Sequence, residues 1–131
     1  MTEIRWLNKQ ALILLHSETI SLHGGLDGIR DEGLLESALA RPQNIHVYEN
    51  ETDVIRLAAI YGIGIARNHA FLDGNKRAAF LAIGLFLRLN GFRLVANPAE
   101  ATQVMLKVAT GEMMESELIS WIKNNISETS S

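Results

Sequence analysis

The sequence predicts an all-α fold, and the distribution of its apolar residues supports this. Residues 57–66 and 78–87 are uncharged apolar runs with almost no polar face, so each should form a helix buried on several sides. A short polar loop joins them, and we expect Phe71 to anchor this loop. The segments around them repeat apolar residues with roughly a helical period. We therefore expect one domain, residues 1–131, forming a compact helical bundle around two buried central helices, with at most one small β-hairpin flap.

The N-terminal third is divided by a cluster of glycines. Asn8 is placed to cap a helix from about residue 8 to residue 22, and the glycines within residues 24–28 interrupt the pattern. Asp31 or a neighbour starts a short second helix. That helix should end before Pro42, because the residue preceding a proline is disfavoured in the helical conformation.

Residues 42–51 are the least regular interior segment. Apolar and polar residues alternate weakly over residues 44–48, as they would in a short extended arm of a hairpin. An ordinary surface loop explains these residues equally well, so the sequence leaves both interpretations open.

The two central helices have recognisable ends. Thr52 is placed to cap the first, which should run to about Asn68, and the second should run from about residue 75 to 89, where an Asn-Gly pair supplies a stop. Gly62 and Gly64 lower the helix propensity of the first helix. Close approach of a neighbouring backbone would explain them.

The C-terminal part predicts two further helices. Residues 92–96 form a short extended piece, and Pro98 occupies a favourable first-turn position in a helix that reaches about residue 109. A last helix is expected from residue 115 to about 126, and residues 127–131 are expected to fray.

Composition and charge exclude several classes of function. Hydrophobic residues are 47% of the chain and the net charge is −3, which suits a globular protein and argues against a general nucleic-acid binder. The apolar runs are about half the length of a bilayer span, and the N-terminus lacks a signal-peptide pattern. The absence of cysteine excludes disulfides and thiolate metal sites. His16 and His23 lie on roughly one helix face, but no third metal ligand accompanies them. We predict a cytoplasmic protein without membrane contact.

Residues 69–77, His-Ala-Phe-Leu-Asp-Gly-Asn-Lys-Arg, carry most of the chemistry. They close onto the N-terminus of the second central helix, where backbone N–H groups lack partners and the helix dipole is positive. This end can bind an anion, and Lys76 and Arg77 add full charges. Asp73 supplies an oxygen ligand suited to Mg²⁺, and His69 is the natural proton acceptor near neutral pH. The combination indicates transfer of part of a nucleotide onto a hydroxyl.

Taken singly, these residues also have structural explanations. Asp73 would cap the helix, and Gly74 would supply a turn. Lys76 and Arg77 would be solvated first-turn residues, although cations are disfavoured at that end of the dipole. Arg67 either complements the C-terminus of the first central helix, which is the favoured role, or reaches the phosphate site. Their combination at such close spacing favours the functional interpretation.

The pattern H-x-F-x-D-G-N-K-R in residues 69–77 resembles the signature of the Fic/Doc (Fido) superfamily, and its N-K-R ending resembles the Doc, or death-on-curing, branch. Residues 22–42 are also similar to the N-terminal segment of Doc-type toxins. The resemblance covers most of the chain. It implies the compact helical Fic fold, with a flap near residues 42–51 that positions a target segment beside the catalytic loop.

The resemblance implies a role for each motif residue. His69 matches the catalytic histidine that takes the proton from a target Ser or Thr hydroxyl, and Asp73 matches the acidic residue that binds Mg²⁺. The phosphate- and nucleotide-binding positions follow them as Gly74, Asn75, Lys76 and Arg77. The implied cofactors are ATP and Mg²⁺.

Lys76 separates two reactions within the family. Typical Fic enzymes resemble this motif but carry glycine at this position, and they transfer AMP from ATP. In Doc-type proteins the lysine accompanies an inverted nucleotide whose γ-phosphate faces the nucleophile. The resemblance therefore implies a protein kinase reaction, with AMP transfer as the alternative.

The resemblance also implies a toxin of a type II toxin–antitoxin system that phosphorylates a threonine of translation elongation factor Tu and arrests translation. The inhibitory pattern [S/T]-x-x-x-E-[G/N] of many Fic proteins is absent from the chain, which fits control by a separate antitoxin docked in an apolar groove. Two further alternatives are a catalytically silent interaction module and a DNA-binding regulator. The intact motif argues against the first, and the acidic charge argues against the second.

Overall fold

The computed structural model describes residues 3–129, and within this range it contains six α-helices and two short β-strands. In chain order these are α1 (Lys9–His23), α2 (Glu32–Glu49), α3 (Val54–Asn68), α4 (Asn75–Leu89), β1 (Phe92–Leu94), α5 (Pro98–Thr110), α6 (Glu115–Lys123) and β2 (Ile126–Glu128). The predicted all-α class is confirmed. None of these helices is long and apolar enough to cross a membrane.

The central helices α3 and α4 approach each other closely because small residues line them. Their fully buried alanines are Ala58, Ala59, Ala66, Ala78, Ala79 and Ala82. A Cβ atom added at Gly62 would lie 2.4 Å from Cδ1 of Ile83 on α4, so no side chain fits there without a shift. A Cβ atom at Gly64 would lie 3.4 Å from the Cβ of Ala38 on α2. The predicted close approach of a neighbouring backbone is confirmed at Gly64, where the Cα atom of Ala38 would lie 3.6 Å away, whereas the close neighbour of Gly62 is the Ile83 side chain.

The other elements cover this centre. Helices α2, α5 and α6 pack against α3, and α1 and α5 pack against α4. Strand β1 pairs antiparallel with β2, from Phe92 opposite Glu128 to Leu94 opposite Ile126. Because α5 and α6 lie between these strands in the chain, the sheet is not a hairpin. It joins the end of the described chain to the segment that follows α4.

The prediction of an extended flap or a surface loop over residues 42–51 is wrong. Helix α2 continues through Pro42 to Glu49, and Asn50 ends it in the left-handed conformation with φ 55°. Pro42 removes one N–H group from the helix, but its ring is buried and α2 packs along α3. This packing outweighs the local preference of the residue before proline.

Several predicted boundaries are also corrected. Asp53, not Thr52, caps α3, and its Oδ1 accepts the N–H of Ile55 at 2.9 Å. Helix α6 ends at Lys123, and the following residues turn into β2, so the predicted helix to residue 126 is too long. Residues 127 and 128 pair with β1, which contradicts the predicted fraying there. Residues 130 and 131 lie outside the described residues.

Candidate active site

The motif loop, residues 69–74, connects α3 to α4 and begins and ends in the left-handed conformation. His69 follows the last turn of α3 with φ 52°, and Gly74 precedes the first turn of α4 with φ 71°. No side chain caps α4, and its first turn contains no acidic residue. The backbone N–H groups of this turn are therefore free to bind an anion. Asp73 does not cap the helix, which removes the simplest structural explanation for that residue.

Asn75 holds the motif loop closed. Its Nδ2 donates to the carbonyl of Phe71 at 3.0 Å, and its Oδ1 accepts the N–H of Phe71 at 3.0 Å. Phe71 is only 1% exposed and anchors the loop in the core, as the sequence predicted. Both polar atoms of the Asn75 amide are engaged in this clamp, so its contribution is to loop geometry.

A second segment, the glycine loop of residues 24–31, lies along the motif loop. Ile29 forms an antiparallel bridge with Phe71. The N–H groups of Arg30 and Asp31 both donate to the carbonyl of Ala70, at 2.7 and 3.0 Å. The N–H of Leu72 donates to the carbonyl of Gly28 at 3.0 Å. Main-chain pairing therefore fixes the middle of the motif loop.

The Asp73 carboxylate is exposed and is oriented by two backbone donors. Its Oδ1 accepts the N–H of Gly74 at 3.0 Å, and its Oδ2 accepts the N–H of Leu26 at 3.3 Å. A Cβ atom at Gly25 would lie 2.9 Å from Oδ2, so a residue without a side chain is needed beside the carboxylate. Since a carboxylate has about four acceptor positions, Asp73 keeps capacity for a metal ion.

Two residues that sequence reasoning did not identify also hold the motif loop. His16 of α1 is buried, and its Nε2 bonds the Asp73 carbonyl at 2.7 Å. Arg30 donates from Nε to the carbonyl of His69 at 2.7 Å and from Nη2 to that of Asn68 at 3.3 Å. The helical period of α1 places His16 on the same buried face as Leu12 and Ile20, so its burial could have been predicted. No local pattern links Arg30 to His69, which is 39 positions away.

A cleft of about 810 Å³ opens beside the N-terminus of α4. One wall is polar and is formed by five consecutive motif residues: Asp73, Gly74, Asn75, Lys76 and Arg77. The apolar wall of the cleft is formed by Phe80 from α4 and by Ala101, Met105 and Leu106 from α5. This volume falls within the range of about 300–1,000 Å³ that small-molecule sites occupy. The cleft thus combines an anion-binding end with an apolar surface suited to a planar base.

Lys76 and Arg77 bring uncompensated positive charge to this cleft. Both side chains are exposed, and neither forms a salt bridge among the described residues. With the positive end of the α4 dipole, they create a site that favours a polyanion such as a nucleotide phosphate chain.

The remaining predicted site residues lie outside this cleft. His69 is exposed at the other end of the motif loop and does not line it. Arg67 also does not line it. It donates from Nε to the carbonyl of Val108 at 2.9 Å and from Nη2 to that of Met113 at 3.2 Å. These contacts fasten the end of α5 to α3, so the accessory phosphate role considered for Arg67 has no support from its position.

The residues present fit a metal ion that arrives with a nucleotide. Within residues 3–129 there is no group of three or more His, Cys, Asp or Glu residues that could hold a metal ion by themselves. Asp73 is the carboxylate of the cleft wall. Mg²⁺ commonly uses one or two protein carboxylates, with substrate phosphates and water completing its octahedral shell. A single carboxylate beside a phosphate-binding helix end matches this pattern.

Comparison with known proteins places the chain in a family. Residues 6–87 match the model of the Fic/DOC family. The chain is 38% identical over 115 residues to the protein kinase Doc of Escherichia phage P1, an alignment that covers 88% of this chain and 90% of that protein. It is 42% identical over 93 residues to the toxin Doc of Mycolicibacterium smegmatis (strain ATCC 700084 / mc(2)155), covering 66% of this chain and 69% of that protein. The chain belongs to the Fic/Doc family, and the resemblance to its Doc branch is confirmed.

Proposed function

We propose that the chain is a Doc-type toxin that phosphorylates a Ser or Thr hydroxyl of a bacterial protein with Mg²⁺-ATP. The observation that carries the proposal is the uncapped N-terminus of α4, which opens into the cleft beside Asp73, Lys76 and Arg77. The relative named protein kinase Doc supports the choice of reaction. Family resemblance indicates a threonine of translation elongation factor Tu as the acceptor.

The polar wall of the cleft would bind the phosphate chain. The first-turn N–H groups of α4, with Lys76 and Arg77, would hold the phosphate oxygens and stabilise charge that develops during transfer. Asp73 would hold Mg²⁺ together with those oxygens, and the bound ion would neutralise charge on the phosphates. The apolar wall with Phe80 and Met105 would receive the adenine base.

His69 would act on the acceptor. Its exposed position outside the cleft lets a hydroxyl of another protein approach from solvent. The acceptor oxygen forms a bond to the γ-phosphorus while the bond from that phosphorus to the bridging oxygen of ADP breaks. The hydroxyl proton passes to the imidazole of His69, and ADP leaves.

Lys76 supports transfer of the γ-phosphoryl group rather than AMP. Lys76 lines the polar wall of the cleft, and a glycine at this position would leave more room for the outer phosphates against the helix end. A nucleotide with its outer phosphates turned toward the acceptor would avoid the Lys76 side chain and could use its ammonium group as a partner for phosphate oxygens.

A labelling experiment tests the reaction. The purified chain is incubated with bacterial lysate, Mg²⁺ and ATP labelled at the α- or the γ-phosphate, beside His69→Asn and His46→Asn. Asparagine tolerates the left-handed backbone of residue 69 but cannot take up the hydroxyl proton. The control removes a histidine outside the cleft, and its amide can keep the bond that His46 Nδ1 makes to the carbonyl of Glu51 at 2.6 Å.

We expect one protein to be labelled from γ-ATP by the wild type and His46→Asn, and not by His69→Asn or with EDTA. Label from α-ATP would replace the kinase with AMP transfer. If neither nucleotide labels any protein while the folded chain is free of partners, the chain is a silent interaction module.

We also propose a separate antitoxin as the partner of this chain. The relative named toxin Doc supports this. Expression of the wild type without a partner should stop growth and protein synthesis, whereas His69→Asn should not. Equal growth of both strains at equal protein levels would argue against a toxin.

A further inference from the structure

His16 is a buried polar residue that no step of the proposed reaction uses. It is 1% exposed. The other core side chains among the described residues are those of Ala, Val, Leu, Ile, Met, Phe and Tyr. On α1 it lies between Leu12 and Ile20, one turn from each, and both of these are buried and apolar. A third apolar residue would complete that stripe. A hydrogen-bonding residue in its place needs a specific partner.

That partner is the backbone of the residue that would bind Mg²⁺. The Nε2 atom of His16 lies 2.7 Å from the carbonyl oxygen of Asp73, and because a carbonyl can only accept, Nε2 carries the hydrogen. Asp27 Oδ1 lies 3.8 Å from the other ring nitrogen, beyond hydrogen-bond distance. The imidazole ring also stacks on Phe71, with ring centroids 3.9 Å apart and an interplanar angle of 18°.

This contact fixes the peptide unit from which both the metal ligand and the anion site extend. The Asp73 carbonyl belongs to the peptide unit that leads into Gly74, whose left-handed backbone starts α4. A Cβ atom at Gly74 would lie only 3.5 Å from His16 Nε2, so α1 and the loop are in direct contact there. The Asp73 carboxylate itself accepts only a long 3.3 Å bond from the N–H of Leu26 and a bond from the N–H of the adjacent Gly74.

We propose that His16 is a positioning residue that holds the Asp73 carboxylate toward the cleft through the Asp73 carbonyl. The inference rests on the proposed function. It requires that the hydrogen bond, and not the ring packing alone, sets the affinity for the metal. Residues that orient a metal ligand typically change metal affinity or activity by about 10- to 100-fold when they are removed.

Two substitutions separate the hydrogen bond from the packing. His16→Phe keeps an aromatic ring against Phe71 but has no donor. His16→Gln keeps an N–H donor at a similar reach but loses the stack. Calorimetry measures the dissociation constant of ATP with Mg²⁺ and with EDTA, and the ratio of the two values gives the contribution of the metal. Asp73→Asn provides the reference for complete loss of that contribution.

In His16→Phe we expect this metal contribution to fall at least tenfold, while binding of metal-free ATP stays within about twofold of the wild type, since Lys76 and Arg77 are intact. His16→Gln should keep most of the metal contribution despite a lower melting temperature. An unchanged metal contribution in His16→Phe, or equal losses in both variants, would overturn the inference.

If His16→Phe does not fold, NMR of the His16 imidazole in the wild-type protein tests the inference instead. The Nε2 resonance of His16, observed by ¹⁵N NMR, should shift when Mg²⁺ is added to the ATP-bound protein, and an unchanged resonance would contradict the proposal. Wild-type protein that binds Mg²⁺-ATP but labels no acceptor would refute the proposed kinase activity and leave the His16 comparison valid.

Discussion

Replacing Asn75 with alanine should weaken the motif loop and nucleotide binding together. The Asn75 amide makes two hydrogen bonds of 3.0 Å to the backbone of Phe71, one as donor and one as acceptor. Alanine removes both bonds. It leaves the N–H and carbonyl of a residue that is only 1% exposed without these partners.

The expected loss follows from these two bonds. Each contributes about 1 kcal/mol net, and an unpaired buried N–H adds a penalty, so the free energy of unfolding should fall by roughly 2–3 kcal/mol. For a chain of this size, 1 kcal/mol corresponds to a shift of about 4 °C in melting temperature. The melting temperature should therefore drop by about 8–12 °C.

Asn90 provides a matched control at the opposite end of α4. Its Nδ2 donates to the carbonyls of Arg5 and Phe86 at 2.9 and 2.8 Å, and its Oδ1 accepts the N–H of Arg5 at 2.9 Å. Asn90→Ala removes a similar set of bonds far along the helix from the motif loop. It should lower the melting temperature comparably and leave the affinity for Mg²⁺-ATP unchanged.

Thermal melting by circular dichroism and calorimetric titration with Mg²⁺-ATP measure the two effects on the same samples. The reasoning fails if Asn75→Ala melts like the wild type, because the clamp would then contribute no stability. It also fails if both variants lose ATP affinity equally, because the loss would then follow from general destabilisation.

Three further predictions use residues along the central helices. Gly62→Ala should lower the unfolding free energy, because overpacking costs about 1–3 kcal/mol and exceeds the gain in helix propensity. Gly84→Ala has open space at its Cβ and should raise the unfolding free energy by up to about 1 kcal/mol. Urea denaturation measures both changes. Burial raises the pKa of the Tyr61 hydroxyl to about 12 from 10.0, against the opposing effect of a backbone N–H donor. The unfolded chain therefore loses this proton at a lower pH than the folded chain. From pH 10 to 12 the wild type should lose about 1.4 kcal/mol of stability per pH unit relative to Tyr61→Phe. A difference in unfolding free energy between the two proteins that does not change with pH would refute this. Arg77→Ala should weaken Mg²⁺-ATP binding roughly 10- to 100-fold in calorimetry, as expected for the loss of a charge-assisted hydrogen bond. Arg88→Ala, on the same helix, should bind Mg²⁺-ATP like the wild type. Equal losses of affinity in both variants would contradict the assignment of Arg77 to phosphate binding.

Local signals predicted the central part of the fold well. Helix α4 spans residues 75–89 as expected, because a loop glycine and an Asn-Gly pair mark its ends. The motif residues from Asp73 to Arg77 line one cleft because they are consecutive in the chain, at the junction of the motif loop and the first turn of α4.

Features that depend on distant contacts were not predictable. Whether Pro42 ends a helix or lies inside it depends on how α2 packs against α3, which no local rule contains. The sequence predicts a helix to residue 126 and fraying after it where β2 forms, because the partner strand β1 precedes β2 by two helices. The helical period places His16 on the buried face of α1, but its bond to a carbonyl 57 residues away follows only from the assembled fold.

The pairing between the glycine loop and the motif loop has a consequence for the evolution of this protein. The bonds from Arg30, Asp31 and Leu72 run from main chain to main chain, so they do not depend on which side chains these positions carry. Leu26 and Leu72 remain 65% and 49% exposed beside the same loop. Substitutions at these exposed side chains can therefore accumulate while the main-chain pairing that holds the motif loop is kept.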